Sequence, residues 1–180
     1  MAQKVTFSNL MKYGLLLGLT LIILSLVKIY LKNFVDRDLE LIFMLLQAAA
    51  YVFFIYCAIR FAVKYLYATT YSFAKGVKVG IFLGLIAAVL MCIYQYIEMK
   101  FIIPEFYQEQ INVSLETMES NGMQVTEEME KMVRSIFPIG IVFGSFITSF
   151  LIALFASLFV SPFFKKQQPV DFNNEPSDNE

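Results

Sequence analysis

Four stretches of this chain are each apolar for about the 20 residues that a helix needs to cross a hydrocarbon layer about 30 Å thick. They are Tyr13 to Leu31, Leu41 to Ile59, Val77 to Ile97 and Ile136 to Phe164. Lys28 interrupts the first near its end, and Gln47 is the strongly polar side chain of the second. The third carries Lys78 and Gln95 towards its two ends, and the fourth contains Pro138 and Pro162. None shows the charged face that a surface helix of a water-soluble protein repeats every 3.6 residues. Lipid as solvent is therefore favoured over a buried soluble core, and composition agrees. Hydrophobic residues make up 58% of the chain and charged residues 16%, against about 25% charged in soluble domains.

The first run exceeds the roughly 7–15 residues of a signal-peptide core, and no small-x-small site follows Leu31, so it reads as a retained span. Four spans place both termini on one side. That side holds Lys4, Lys12, Arg60, Lys64, Lys75, Lys78, Lys165 and Lys166; the other holds Lys28, Lys32, Arg37, Lys100, Lys131 and Arg134. The loop from Arg60 to Lys78 has four cations and no acid. The positive-inside rule then predicts cytoplasmic termini for a multi-pass protein of the cell (inner) membrane. Tyr13, Tyr30, Tyr65, Tyr67, Tyr71, Tyr94 and Tyr96 suit an interfacial aromatic belt.

Residues 98–135 are predicted to form a helical hairpin outside the bilayer. Pro104 fits a first helical turn, where its missing N–H costs nothing. Tyr107, Ile111, Leu115 and Met118 make one apolar stripe. Asn121-Gly122 ends the helix because both tolerate left-handed backbone. Thr126 is the predicted N-cap of a second helix, whose Glu127, Glu128 and Glu130 complement its dipole. Met129, Met132, Val133 and Ile136 form its predicted apolar face, and it runs into the fourth span with a kink at Pro138. Eight glutamates lie in this segment: Glu98, Glu105, Glu109, Glu116, Glu119, Glu127, Glu128 and Glu130. A solvated face is the plain reading of such a charge run; the sharper one is a surface for a cation or a basic partner, though glutamates spread along two helices lack the loop spacing of a calcium site. The fold class is thus all-α, an integral membrane four-helix bundle over residues 1–164 with a helical hairpin between the third and fourth spans. Residues 165–180 form a tail of disordered composition.

Small residues recur every four positions. Gly14 and Gly18 do so on the first span, Gly76, Gly80, Gly84 and Ala88 on the third, and Gly140, Gly144 and Thr148 on the fourth, with Ala153 as a further member. In lipid, such ladders let helix backbones approach and gain dispersion contacts. They read as packing within the bundle, with a homo-oligomer face as the alternative.

Candidates for chemistry are sparse. The chain has no His, which removes the commonest neutral-pH base and metal ligand. Intramembrane ionisable groups are functional candidates by default, but Lys28 and Lys78 lie where their stems can snorkel to the interface, and Glu98 sits at a span edge. Gln47 and Gln95 are placed to bond across helices. Cys57 and Cys92 differ in predicted depth by about 17 Å, too far to pair. No catalytic, cofactor or metal site is predicted. A net charge of −1 gives no sign of nucleic-acid binding.

The stretch Tyr71-Ser72-Phe73 through Gly80, then Tyr94-x-Tyr96 and Ile103-Pro104-Glu105-Phe106, resembles family 4199 of the domains of unknown function. Gly122-Met123, the Glu127–Glu130 cluster, Phe137-Pro138, Gly144 and Phe164-Lys165-Lys166 also look like that family. The resemblance implies a small bacterial four-span membrane protein and brings no established activity and no functional residues. On these grounds the chain is expected to be a non-enzymatic structural or accessory protein whose acidic extracytoplasmic hairpin meets a membrane-protein partner. The alternative is a small oligomeric transporter or channel component.

Overall fold

The computed structural model describes residues 2–31, 37–67 and 71–164. The tail at 165–180, with Lys165 and Lys166, and the loop cation Lys32 lie outside the described residues. Within them the chain is helical, without strands. The helices are α1 (Ala2–Leu31), α2 (Arg37–Tyr65), α3 (Phe73–Ile97), α4 (Pro104–Ser120) and α5 (Glu127–Val160). A π-helical turn, Glu98–Ile102, joins α3 to α4, and a short 3-10 turn, Ser161–Phe164, follows α5.

Four helices are long and apolar enough to cross a membrane: Ser8–Leu31, Glu40–Tyr65, Phe73–Ile102 and Glu127–Phe164. The protein is a multi-pass membrane protein. Outward-facing apolar side chains such as Leu19, Ile23, Leu45, Phe53, Phe143, Phe155 and Phe159 are exposed, as lipid-facing positions must be. The core between helices is built from Leu17, Leu21, Tyr51, Ile55, Ile59, Val79, Leu83, Ala87 and Ala153.

All four crossing helices outrun their predicted spans, α1 beginning at Ala2 and α3 at Phe73. α2 continues to Tyr65. α5 is unbroken from Glu127 through Pro138 to Val160. Its 34 residues would extend about 51 Å at 1.5 Å per residue, some 20 Å more than a hydrocarbon core. Proline inside a helix removes one backbone hydrogen bond, and the flanking turns of α5 carry the helix across it.

The connection from α4 to α5 follows local chemistry. Pro104 occupies the start of α4. Gly122 takes φ +83°, a left-handed backbone that only glycine adopts without penalty, and its N–H bonds the Glu119 carbonyl at 2.9 Å. Asn121, with φ −82°, does not share that conformation. Thr126 caps α5 by accepting from the Met129 N–H at 3.3 Å.

Candidate functional site

The predicted packing residues divide into three groups. On α3, Gly76, Gly80, Gly84 and Ala88 are all buried. A Cβ added to Gly80 would sit 2.1 Å from the Ser157 Cβ, and one on Gly84 would sit 2.3 Å from that of Ala153. At Gly76 the Ser161 Oγ would be 2.5 Å away. The glycine ladder of α3 thus meets a second small-residue ladder, Ala153, Ser157 and Ser161, on the antiparallel helix. Tyr71 closes its end by donating to the Ser161 carbonyl at 3.1 Å. On α1, Gly14 lies against Ile86 and Gly18 against Leu90, with added-Cβ distances of 3.0 and 2.5 Å. On α5, Gly140 and Gly144 have nothing within 4 Å of an added Cβ. Gly144 precedes Ser149 by five residues, roughly 140° around a helix of 3.6 residues per turn, so it points away from the seam that Ser149 and Ala153 join.

A polar knot ties the C-terminal end of α3 to α4. Gln95 Nε2 donates to the Tyr107 hydroxyl. That hydroxyl donates in turn to Glu98 Oε1 over a long 3.5 Å. Tyr94 and Glu98 stand one helical turn apart, and the buried Tyr94 hydroxyl has no hydrogen bond of normal geometry. The π-helical turn closes with the Ile103 N–H on the Glu98 carbonyl at 3.0 Å; such turns are rare and occur mostly as single-turn bulges in α-helices. Tyr107 is 8% exposed. Its desolvation, then the neighbouring Glu98 charge, push its hydroxyl pKa up to about 12.

Neighbouring polar contacts join the other helices. Lys28 of α1 ion-pairs with Glu40 of α2 at 2.8 Å, and Gln47 donates to Ser25 at 3.4 Å. Cys57 and Cys92 are both free. The Cys92 thiol donates to the Val142 carbonyl at 3.5 Å and lines an open apolar groove of about 480 Å³ with Pro138, Val142 and Phe146.

The third element is a clasp between α4 and α5. Arg134 donates to Gln108 at 3.1 Å and to Asn112 at 3.0 Å on α4, and to Glu130 on its own helix at 2.9 Å. Tyr107, Ile111 and Leu115 turn inward while Glu105, Glu109, Glu116, Glu119, Glu127 and Glu128 stay exposed. The sequence stripe of α4 is therefore the packed one. Of the side chains read as the apolar face of early α5, Met129, Met132 and Ile136 are exposed, Met132 at 59% and Ile136 at 55%.

Sequence reasoning missed two features. Of the second ladder, Ser149, Ala153, Ser157 and Ser161 at a spacing of four, the sequence pattern was read for Ala153 alone, as an extension of Gly140, Gly144 and Thr148, because the glycines nearby set the frame. Tyr94, Gln95 and Glu98 fall on one helix face, a signal for a polar site; Tyr107 could join them only through the fold. Among the described residues there is no group of three or more His, Cys, Asp or Glu side chains that could hold a metal ion.

Residues 12–166 match the family model described as "Protein of unknown function (DUF4199)". No curated protein and no solved structure matches the chain.

Proposed function

The chain belongs to the DUF4199 family of proteins of unknown function, and from that premise we propose that it is a non-enzymatic accessory membrane protein presenting an acidic helical platform to a basic partner. The platform is α4 with the first turns of α5, standing outside the bilayer on the side opposite the two termini.

The observation that carries this reading is the Arg134 clasp. One guanidinium joins three acceptors on two helices, which fixes α4 against α5 while six glutamates remain exposed around it. Arginine suits the task because its planar fork offers several donors at fixed angles. The knot at Tyr107, Gln95 and Glu98 anchors the other end of α4 to α3. The length of α5 supports a position outside the hydrocarbon, since about 20 Å of it exceeds one crossing. Cytoplasmic termini follow from the basic end of the bundle by the positive-inside rule.

The test is a pull-down in mild detergent of the tagged full chain against a Glu105→Gln, Glu109→Gln, Glu116→Gln, Glu119→Gln variant. A partner that co-purifies with the wild type and is lost from the variant supports the reading. A wild type that purifies alone, or a partner held equally by both, overturns it.

A further inference from the structure

The four crossings gather cations at the end of the bundle that faces away from α4. Lys12 on α1, Arg60 and Lys64 on α2, and Lys78 on α3 are all exposed there. Aromatic contacts join α1 to α2 beside the first three. The Tyr13 ring lies 5.9 Å from Phe61, and Phe61 lies 4.8 Å from Tyr65. Lys12 precedes Tyr13, Arg60 precedes Phe61 and Lys64 precedes Tyr65 in the sequence. Arg60 and Lys64, four residues apart, share one helix face, and the Lys64 ammonium sits 5.1 Å from the centre of the Tyr65 ring.

Among the described residues no acid opposes them at this end; Asp171, Glu175, Asp178 and Glu180 of the tail lie outside the described residues. No Asp or Glu occurs from Ala2 to Leu31, from Leu41 to Ile97, or from Lys131 to Phe164. The ion pairs Lys28–Glu40 and Arg134–Glu130 both lie at the opposite end. Tyr65 is 60% exposed, so an aromatic surface borders the cations on the lipid side.

We propose that Arg60, Lys64 and Lys12 form a binding site for the headgroup of an anionic phospholipid. The guanidinium of Arg60 presents a fork matched to phosphate oxygens. Lys64 and Lys12 supply point charges beside it, and the Tyr13–Phe61–Tyr65 rings receive the upper acyl chain. Charge complementarity selects the lipid: basic clusters at a membrane edge attract anionic headgroups over zwitterionic ones. The site does not depend on the α4 platform or on its partner, and it stands whichever way the chain is oriented.

The test is native mass spectrometry of the detergent-solubilised full chain with added phosphatidylglycerol or phosphatidylcholine of identical acyl chains. The wild type retains the phosphatidylglycerol preferentially. Arg60→Gln with Lys64→Gln lowers that retention by roughly tenfold. A control of equal charge, Lys100→Gln with Lys131→Gln at the other end, leaves it unchanged. Equal retention of the two lipids, or equal loss in the control, overturns the proposal. So does complete displacement of the lipid by millimolar inorganic phosphate, which would make this a site for the free anion.

Discussion

Gly80 lies so close to Ser157 that a methyl group on the glycine would sit 2.1 Å from the serine Cβ. The α3–α5 seam is set by that approach and by its neighbours at Gly76 and Gly84. Helices already in lipid gain little from burying apolar surface, so contact between their backbones is what holds them.

Gly80→Leu should therefore force the two helices apart. Overpacking of this kind costs about 1–3 kcal/mol. Gly144→Leu, with nothing within 4 Å of its added Cβ, should leave stability unchanged. Thermal unfolding of both variants in the same detergent checks the pair. Equal Tm losses would show that the seam is not where this packing puts it.

Arg134→Ala should loosen α4 without unfolding the bundle. Each of its hydrogen bonds contributes about 0.5–1.5 kcal/mol, and exposure keeps them at the low end. Hydrogen exchange in Pro104–Ser120 should accelerate while the core of α3 stays protected. Arg134→Lys should restore little, because one ammonium cannot span Gln108 and Asn112 as the fork does. Unchanged exchange in both variants would remove the clasp from the account.

The Tyr107 hydroxyl should act as a stability group at high pH. Its pKa rises from an ordinary 10.0 to about 12, so between those values the folded state binds more protons than the unfolded state. Stability from this group is complete below about pH 10 and is lost as pH climbs towards 12. Tyr107→Phe should flatten that part of the Tm-versus-pH curve and delete one late-titrating tyrosinate from the ultraviolet titration. A curve that keeps its slope would assign the effect to other tyrosines.

Much of the architecture was legible because lipid imposes simple rules. Twenty apolar residues must become a helix, Pro104 starts one, and Thr126 caps another by its own chemistry. The α4 stripe of Tyr107, Ile111 and Leu115 was readable for the same reason, since periodicity alone chooses the buried face. What was not legible depends on rotation about a helix axis. In a span that is apolar all round, hydrophobicity cannot say which side meets a neighbour, and Gly144 and Ser149 were equally good candidates. The polar knot needed a π-helical turn at Glu98 and the return of α4 to bring Tyr107 beside Gln95.

The central claim is that α4 and the start of α5 stand outside the bilayer, across from both termini. Single-cysteine accessibility tests it most directly. In a Cys57→Ala, Cys92→Ala background, one variant carries Ser120→Cys and another Ser177→Cys, and intact cells are treated with a membrane-impermeant maleimide. The account predicts labelling at position 120 in intact cells and at position 177 only after permeabilisation. Labelling of both positions from the same side would contradict it, because the fourth helix could not then cross the membrane.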